Sequence, residues 1–392
     1  MRALVIAPQP FFTPRGTPFS VYYRTLVMSE LGITTDLLTY GEGQDVDIRG
    51  VRIIRGPRFS WLGNVKTGPS IQKLFLDVFV FVRTIGLLLT NRYDFIHAHE
   101  EAVFFSRFLK SFFRFKLVYD MHSSLPQQLS NFKYTESRLI YRLFKWLEDS
   151  SINTADAVIT ICPDLADYVN TIIMNPNKHH LIENSIFEPV LLKSAQEPEV
   201  SEAPSDFVNL SKNRINIVYA GTLEHYQGID LLLKSFKLVL ENCPEAFLTI
   251  VGGTQAQVDK YLQIAGSEGV KESCCFTGRV PQQEAVGYTS LATVQVSPRT
   301  EGTNTPLKVY QQLASGIPLV ATSIYSHTQV LDSNVAFLAA PNAKAFSKAM
   351  IEAISNRELA KQIADNALIL YKEKYSRKQY VAKMSNMLES LK

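Results

Sequence analysis

At 392 residues, with 46% hydrophobic and 20% charged side chains, the chain is of an ordinary globular kind with room for two or more cores. Its net charge of +3 is too small to imply a nucleic-acid partner. The four cysteines show no metal-ligand spacing and suit reduced thiols in a cytoplasmic protein, and neither a secretory signal nor an apolar run of spanning length is expected.

Arg2–Ala7 is a near-continuous apolar run and predicts a buried first strand. A proline-crowded loop follows, in which Gly16 stands between Arg15 and Thr17 before an amphipathic helix over residues 19–31. A glycine after the first strand of an open parallel sheet is where such sheets place a ligand loop, and it is equally a plain turn residue. Residues 35–39 and 51–54 read as strands. Asp45 and Asp47 lie among turn residues without a third ligand, so they read as a solvated pair rather than a metal site. Residues 70–89 predict a long, mostly buried helix.

Residues 95–98 form a strand running into His-Ala-His-Glu-Glu, which gathers His97, His99, Glu100 and Glu101 at a strand end, where α/β sheets put function. Alternation sends His97 and His99 to one side; one should be a structural hydrogen-bonder and the other a ligand-side residue, with His99 the better candidate. No third metal ligand is visible near them. The strand from Leu117 ends Asp-Met-His-Ser-Ser, placing His122 and Ser123 at a second strand end with Asp120 able to orient the imidazole.

Two further stretches are basic and amphipathic. Phe104, Phe108 and Phe112 recur every fourth residue beside Arg107, Lys110 and Arg114, and Leu139, Leu143 and Leu147 accompany Arg138, Arg142 and Lys145. Such helices lie on anionic bilayers, although core packing explains the aromatic stripe as well. Residues 193–214, rich in Glu, Ser and Pro, read as an inter-domain linker.

The second half opens with the apolar strand Ile215–Ala220, then a loop bracketed by Gly221 and Gly228, then a helix from Ile229. Strands at residues 246–251 and 275–278 follow, the second leading into Arg279 and Val280. Next comes SPRTEGTNTPLKVYQQLASGIPLVAT, residues 297–322, which reads as strand, loop, helix, strand. Thr303, Asn304 and Thr305 are candidate N-caps, Pro306 suits the first helical position, and Leu307–Ala314 carries helical spacing. The unpaired N–H groups of that helix start make an anion site, with Arg299 just before it and Lys308 in its first turn. His327 reads as a surface turn residue near it, and residues 371–391 as a terminal helix.

The stretch 297–322 resembles the donor-binding segment of retaining family 4 glycosyltransferases, which have the GT-B fold. The resemblance implies an α/β protein of two doubly wound, Rossmann-like domains facing a cleft. Its parts would be residues 1–192 on the acceptor side, a linker at 193–214, residues 215–370 binding the nucleotide sugar, and a terminal helix, 371–392, crossing back to the first domain. The usual Glu-x7-Glu pair is lacking: Gln311 and Thr303 occupy its places and Glu301 falls two residues early. The Arg and Lys that usually grip the pyrophosphate after the first strand are replaced by Thr222 and Gln227, and Ser185 stands where the family usually has Gly after Asn184.

The implied activity is retaining, metal-independent transfer of a sugar from a nucleotide diphosphate sugar to a glycan or lipid-linked acceptor, with no cofactor. His122, Arg299 and Lys308 would carry the chemistry. Gly16, Thr17, Gly221, Thr222, Gln227, Gly228, Arg279, Val280, Gln311 and the run Glu301, Gly302, Thr303, Asn304, Thr305, Pro306, Leu307 would hold the donor. His99, Glu100 and Ser123 would lie on the acceptor side. A sugar-nucleotide epimerase on the same fold and a non-catalytic sugar-nucleotide-binding partner are the competing readings.

Overall fold

The computed structural model describes residues 1–13, 16–63, 65, 70–126, 138–184, 187, 190 and 214–392. Arg15, Ser185 and residues 193–213 of the expected linker lie outside them. The chain forms two compact units, each built around its own parallel sheet.

In the first unit, strands β1 (Arg2–Ala7), β2 (Thr34–Thr39), β3 (Val51–Arg55), β4 (Phe95–His99), β5 (Lys116–Met121), β6 (Ala157–Thr160) and β7 (His179–Leu181) are all parallel. Their order is β3-β2-β1-β4-β5-β6-β7, so the winding reverses between β1 and β4. Helices α1 (Gly16–Glu30), α2 (Ile71–Thr90), α3 (Ala102–Leu109), α4 (Arg138–Thr154) and α5 (Pro163–Asn170) make the crossovers. A sheet covered on both faces needs strands apolar on both sides, which is why β1 reads as an uninterrupted run.

α2 corrects one expectation. It begins where expected, with the Ser70 side chain accepting from the Lys73 N–H at 3.2 Å. Yet only Leu76, Val80, Thr84, Leu87 and Leu88 of this helix are buried, and an apolar stripe of it faces outward.

The second unit pairs β8 (Ile215–Ala220), β9 (Ala246–Val251), β10 (Cys274–Gly278), β11 (Val294–Ser297), β12 (Leu319–Thr322) and β13 (Phe337–Ala339) in the order β10-β9-β8-β11-β12-β13, again all parallel. Here the winding reverses between β8 and β11. The helices are α6 (Ile229–Leu240), α7 (Gln255–Glu268), α8 (Gln282–Ser290), α9 (Leu307–Ala314), α10 (Tyr325–Thr328), α11 (Ala343–Ser355) and α12 (Arg357–Leu370). Leu232, Leu233 and Phe236 of α6 are fully buried against this sheet, each contributing about 1.5–3 kcal/mol by leaving water.

The last helix, α13 (Arg377–Ser390), belongs to the first unit, with the division at Ser376 rather than Leu370. Tyr371 and Tyr375 pack instead against Val309 and Leu313 of the second unit, in a π-helical turn that ends α12. α13 is tied to the first unit by Arg377 to Glu30 at 2.6 Å and by a Lys383–Glu183 ion pair.

Candidate functional site

The edge of the first sheet where β4 and β5 end collects four ionisable rings and chains on one carboxylate. Asp120, fully buried, accepts from Arg24 Nε at 2.7 Å and His97 Nε2 at 2.8 Å, both on Oδ2. Its other oxygen lies 3.3 Å from His122 Nε2, which also meets His99 Nδ1 at 3.0 Å. Arg24 is itself fully buried on α1 and donates onward to the Ile182 carbonyl at 2.9 Å and the Tyr380 hydroxyl of α13 at 3.2 Å. Burial alone would raise the Asp120 pKa; Arg24, then His122 and His99, hold it well below the usual carboxylate range. Burial pushes His122 down to about 4 and His99 well below its ordinary value, so both are neutral imidazoles near pH 7.

The expected division between His97 and His99 therefore changes. Both are buried and both sit in the hydrogen-bonded network, stacked 4.7 Å apart. One ligand atom each from His97, His99 and Asp120 falls within 4.8 Å, so folding brings Asp120 beside the two histidines as a third candidate ligand. The Arg24 guanidinium occupies the shared carboxylate oxygen, however, and a cation there would have to displace it. The geometry suits an ion-pair network better than a metal centre.

Beside the histidines, Glu100 adopts φ 51°, unusual for a residue other than glycine, and takes a hydrogen bond from Ser123 Oγ at 2.9 Å. Burial first, then neighbouring Glu101, raise the Glu100 pKa to about 8. Glu101 pairs with Lys73 at 3.0 Å, and Asp77, pushed up to about 7 by burial, accepts from Tyr40 at 2.6 Å. The two candidate acceptor-side groups Glu100 and Ser123 thus touch, next to His99 and His122.

In the second unit the site forms at the β8/β11 reversal. Lys308, in the first turn of α9, places its ammonium 4.1 Å from the Tyr219 ring centre and donates to Gln227 Oε1 at 3.1 Å. Burial, then Arg299, pull its pKa well below the ordinary lysine value. Arg299 lies over Tyr226, 5.2 Å from the ring centre, and its Nε donates to the Glu301 carbonyl at 2.6 Å. That fold-back requires Gly302, at φ +108°, because a Cβ there would collide with the guanidinium. Gly228, at φ +74°, likewise allows the turn after β8 to press on the Pro298 carbonyl, and the Thr300 N–H donates to the Tyr226 carbonyl at 2.9 Å. Among the described residues neither Arg299 nor Lys308 has a carboxylate within ion-pair distance.

Several expectations are adjusted here. Pro306, at ψ 134°, is the N-cap of α9 rather than its first residue, and no side chain caps the helix. The Val309 N–H donates to the Pro306 carbonyl at 3.0 Å, which leaves the N–H groups of Leu307 and Lys308 as the uncapped donors of the helix start. His327 is fully buried instead of sitting on a surface turn. Its Nδ1 donates to the Thr322 carbonyl at 2.9 Å and its Nε2 meets Ser297 Oγ at 2.9 Å, with burial lowering its pKa to about 4. Gln227 is buried and holds Lys308, whereas Thr222 is exposed and offers its carbonyl to Tyr219 at 2.6 Å. Gln311 is half-buried one turn beyond Lys308, while Glu301 and Thr303 are exposed, and Asn304 and Thr305 lie half-buried in the loop before Pro306. Arg279 and Val280 follow β10 at the sheet's outer edge, two strands from β8. Gly16 and Thr17 start α1, in the other unit.

Arg24, Tyr380, Tyr219 and Tyr226 were not singled out from the sequence. A lone arginine in the apolar helix run PFSVYYRTLVM is the signal that could have found Arg24, since a buried guanidinium needs a carboxylate.

Residues 202–368 match the family Glycosyl transferases group 1, and residues 16–186 match Glycosyltransferase Family 4. The chain belongs to the group 1/family 4 glycosyltransferases. An uncharacterized glycosyltransferase of Methanocaldococcus jannaschii is 22% identical over 58% of this chain and 59% of its own length. D-inositol 3-phosphate glycosyltransferase of Corynebacterium aurimucosum is 22% identical over 76% of this chain and 72% of its own. Among solved structures, sucrose-phosphate synthase of Thermosynechococcus elongatus matches with a TM-score of 0.74 at 17% identity, covering 100% of this chain and 98% of that one. HepE of Anabaena, solved in complex with UDP, matches at 0.72 and 14% over the full length of both chains. In this family setting the fold is GT-B, two Rossmann-like domains, and no described helix is long and apolar enough to cross a membrane.

Proposed function

We propose that this protein is a retaining, metal-independent glycosyltransferase that moves a sugar from a nucleotide diphosphate sugar to a lipid-linked or membrane-surface glycan at a cytoplasmic membrane face. The observation that carries this reading is the pairing of Arg299 and Lys308, partly desolvated and repelling one another, with no carboxylate within ion-pair distance among the described residues. An arrangement of that kind is stabilised by an anion from outside, and the uncapped start of α9 adds N–H donors in the same turn as Lys308. The UDP and UDP-glucose complexes of HepE support a nucleotide diphosphate sugar as that anion.

In the reaction the bond between the anomeric carbon and the diphosphate oxygen breaks, a bond from that carbon to the acceptor oxygen forms, and the acceptor proton passes to the departing phosphate. Arg299 and Lys308 stabilise the charge growing on the diphosphate. His122, neutral and fixed by His99 and Asp120, serves as a hydrogen-bonding group toward the sugar, and the Glu100–Ser123 pair serves the acceptor. The test is release of free nucleoside diphosphate from a panel of nucleotide sugars. Release only when acceptor is added supports transfer. Conversion of donor without acceptor would point to an epimerase, and no turnover with any donor and acceptor to a binding protein.

A further inference from the structure

The first domain carries an apolar face that its own core does not use. Along α2, Ile71, Leu74, Val78, Val82 and Leu89 are exposed, Ile71 by 87%, and their spacing puts them on one stripe opposite the buried residues. Trp61, 73% exposed, extends the stripe through its contact with Phe75 at 5.9 Å. On α4, Leu139, Leu143 and Trp146 form a second exposed stripe, Leu139 by 77%. Phe81 of α2 meets Phe105 of α3 at 5.5 Å, Phe104 of α3 meets Phe144 of α4 at 6.5 Å, and Arg107 stacks on Trp146 at 4.7 Å. The three helices are therefore one layer with one outer surface.

The charges of that layer are one-sided. Arg83 flanks the α2 stripe, Arg138 and Arg142 flank that of α4, and all three are exposed with no ion pair among the described residues. The carboxylates on these helices are taken: Asp77 by Tyr40, Glu148 by Ser124 and Tyr168, and Asp149 by Lys145. We infer that this face of the first domain docks on an anionic lipid bilayer, with α2 and α4 lying in the interface plane and the arginines reaching to the headgroups. A second copy of the chain fits less well, because a two-fold pairing through the same patch would set its unpaired arginines against their own images. The inference rests on the reading of a membrane-borne acceptor, but its test measures binding rather than turnover, so either can fail alone.

The full chain is sedimented with phosphatidylcholine vesicles, with and without phosphatidylglycerol. Expected is binding only to the anionic vesicles, weakened about tenfold or more by Val78→Asp with Val82→Asp, and about twentyfold by Arg138→Gln with Arg142→Gln. All four positions are exposed, and an unchanged thermal melt confirms that the variants fold. Absence of binding to anionic vesicles, or binding that both double variants retain, overturns the proposal. So does a dimer in analytical ultracentrifugation that Val78→Asp dissolves, which would make a second copy the occupant.

Discussion

At the edge of the first sheet, a fully buried arginine sits 2.7 Å from a fully buried aspartate that also accepts from His97 at 2.8 Å, with His122 3.3 Å from its other oxygen and His99 bonded to His122 at 3.0 Å. At the corresponding edge of the second sheet, an arginine and a lysine meet tyrosine rings, a glutamine and a main-chain carbonyl, with no carboxylate in ion-pair distance among the described residues. Both edges lie where the winding reverses, yet one has charge balanced from within and the other does not. The balanced group orients neutral histidines and resists disturbance. In the proposed function the unbalanced group receives negative charge, and its cost in the free protein is repulsion that a bound anion would remove.

The contrast can be broken most forcefully at Arg24. Arg24→Ala leaves Asp120 charged and buried, and should cost about 3–5 kcal/mol of folding stability in urea denaturation. A loss below about 1 kcal/mol would mean that the first edge is not self-balanced. Lys308→Ala and Arg299→Ala should each weaken binding of UDP, used as probe in calorimetry, by about 1.5–3 kcal/mol. Both should leave folding stability unchanged or slightly improved, because a repelling neighbour is gone. Full affinity in both variants ends the anion-site reading. Gly302→Ala sharpens the picture at lower amplitude. Strain at its φ of +108° and displacement of Arg299 should cost about 1–2 kcal/mol of stability and less UDP affinity than Arg299→Ala.

The smallest effect lies in the pH dependence. Glu100 titrates near 8 in the folded protein and lower when unfolded, so the folded state binds more protons across that window. Its contribution is fully present below its unfolded pKa and is lost as pH rises toward 8. His122, at about 4 when folded, has the opposite sign: its contribution is complete above its unfolded pKa and is lost as pH falls toward 4. Denaturation of Glu100→Gln across this range should show a gain relative to wild type that grows from pH 5 to pH 8. A constant difference would place the Glu100 carboxyl in an ordinary ionised state.

Alternating apolar runs and polar turns made both parallel sheets legible, because a sheet covered on both faces leaves its pattern in consecutive residues. Arg299 and Lys308 were legible as well, since a cation beside a helix start is a local signal. The histidines and Asp120 of the balanced edge were legible at their strand ends, but its balance by Arg24 was hidden for the converse reason. Arg24, Asp120 and Tyr380 are brought together only by tertiary packing, and their sequence separations carry no pattern. His327 reads as a turn residue because Ser-His-Thr-Gln resembles a turn, whereas its burial depends on Ser297 and Thr322 at two strand ends. The length of α2 was read correctly and its exposure was not: an apolar helix looks alike in sequence whether its second side meets protein or another medium.

The placement of α13 in the first unit has a consequence for biosynthesis. The ribosome delivers the whole second sheet before the residues that close over Arg24, so the nascent first domain must wait with its guanidinium–carboxylate pair uncovered by Tyr380 and Met384. A stop codon shortly before Arg377 should thus damage the part of the molecule synthesised earliest, while the segment translated just ahead of the lesion keeps its own core.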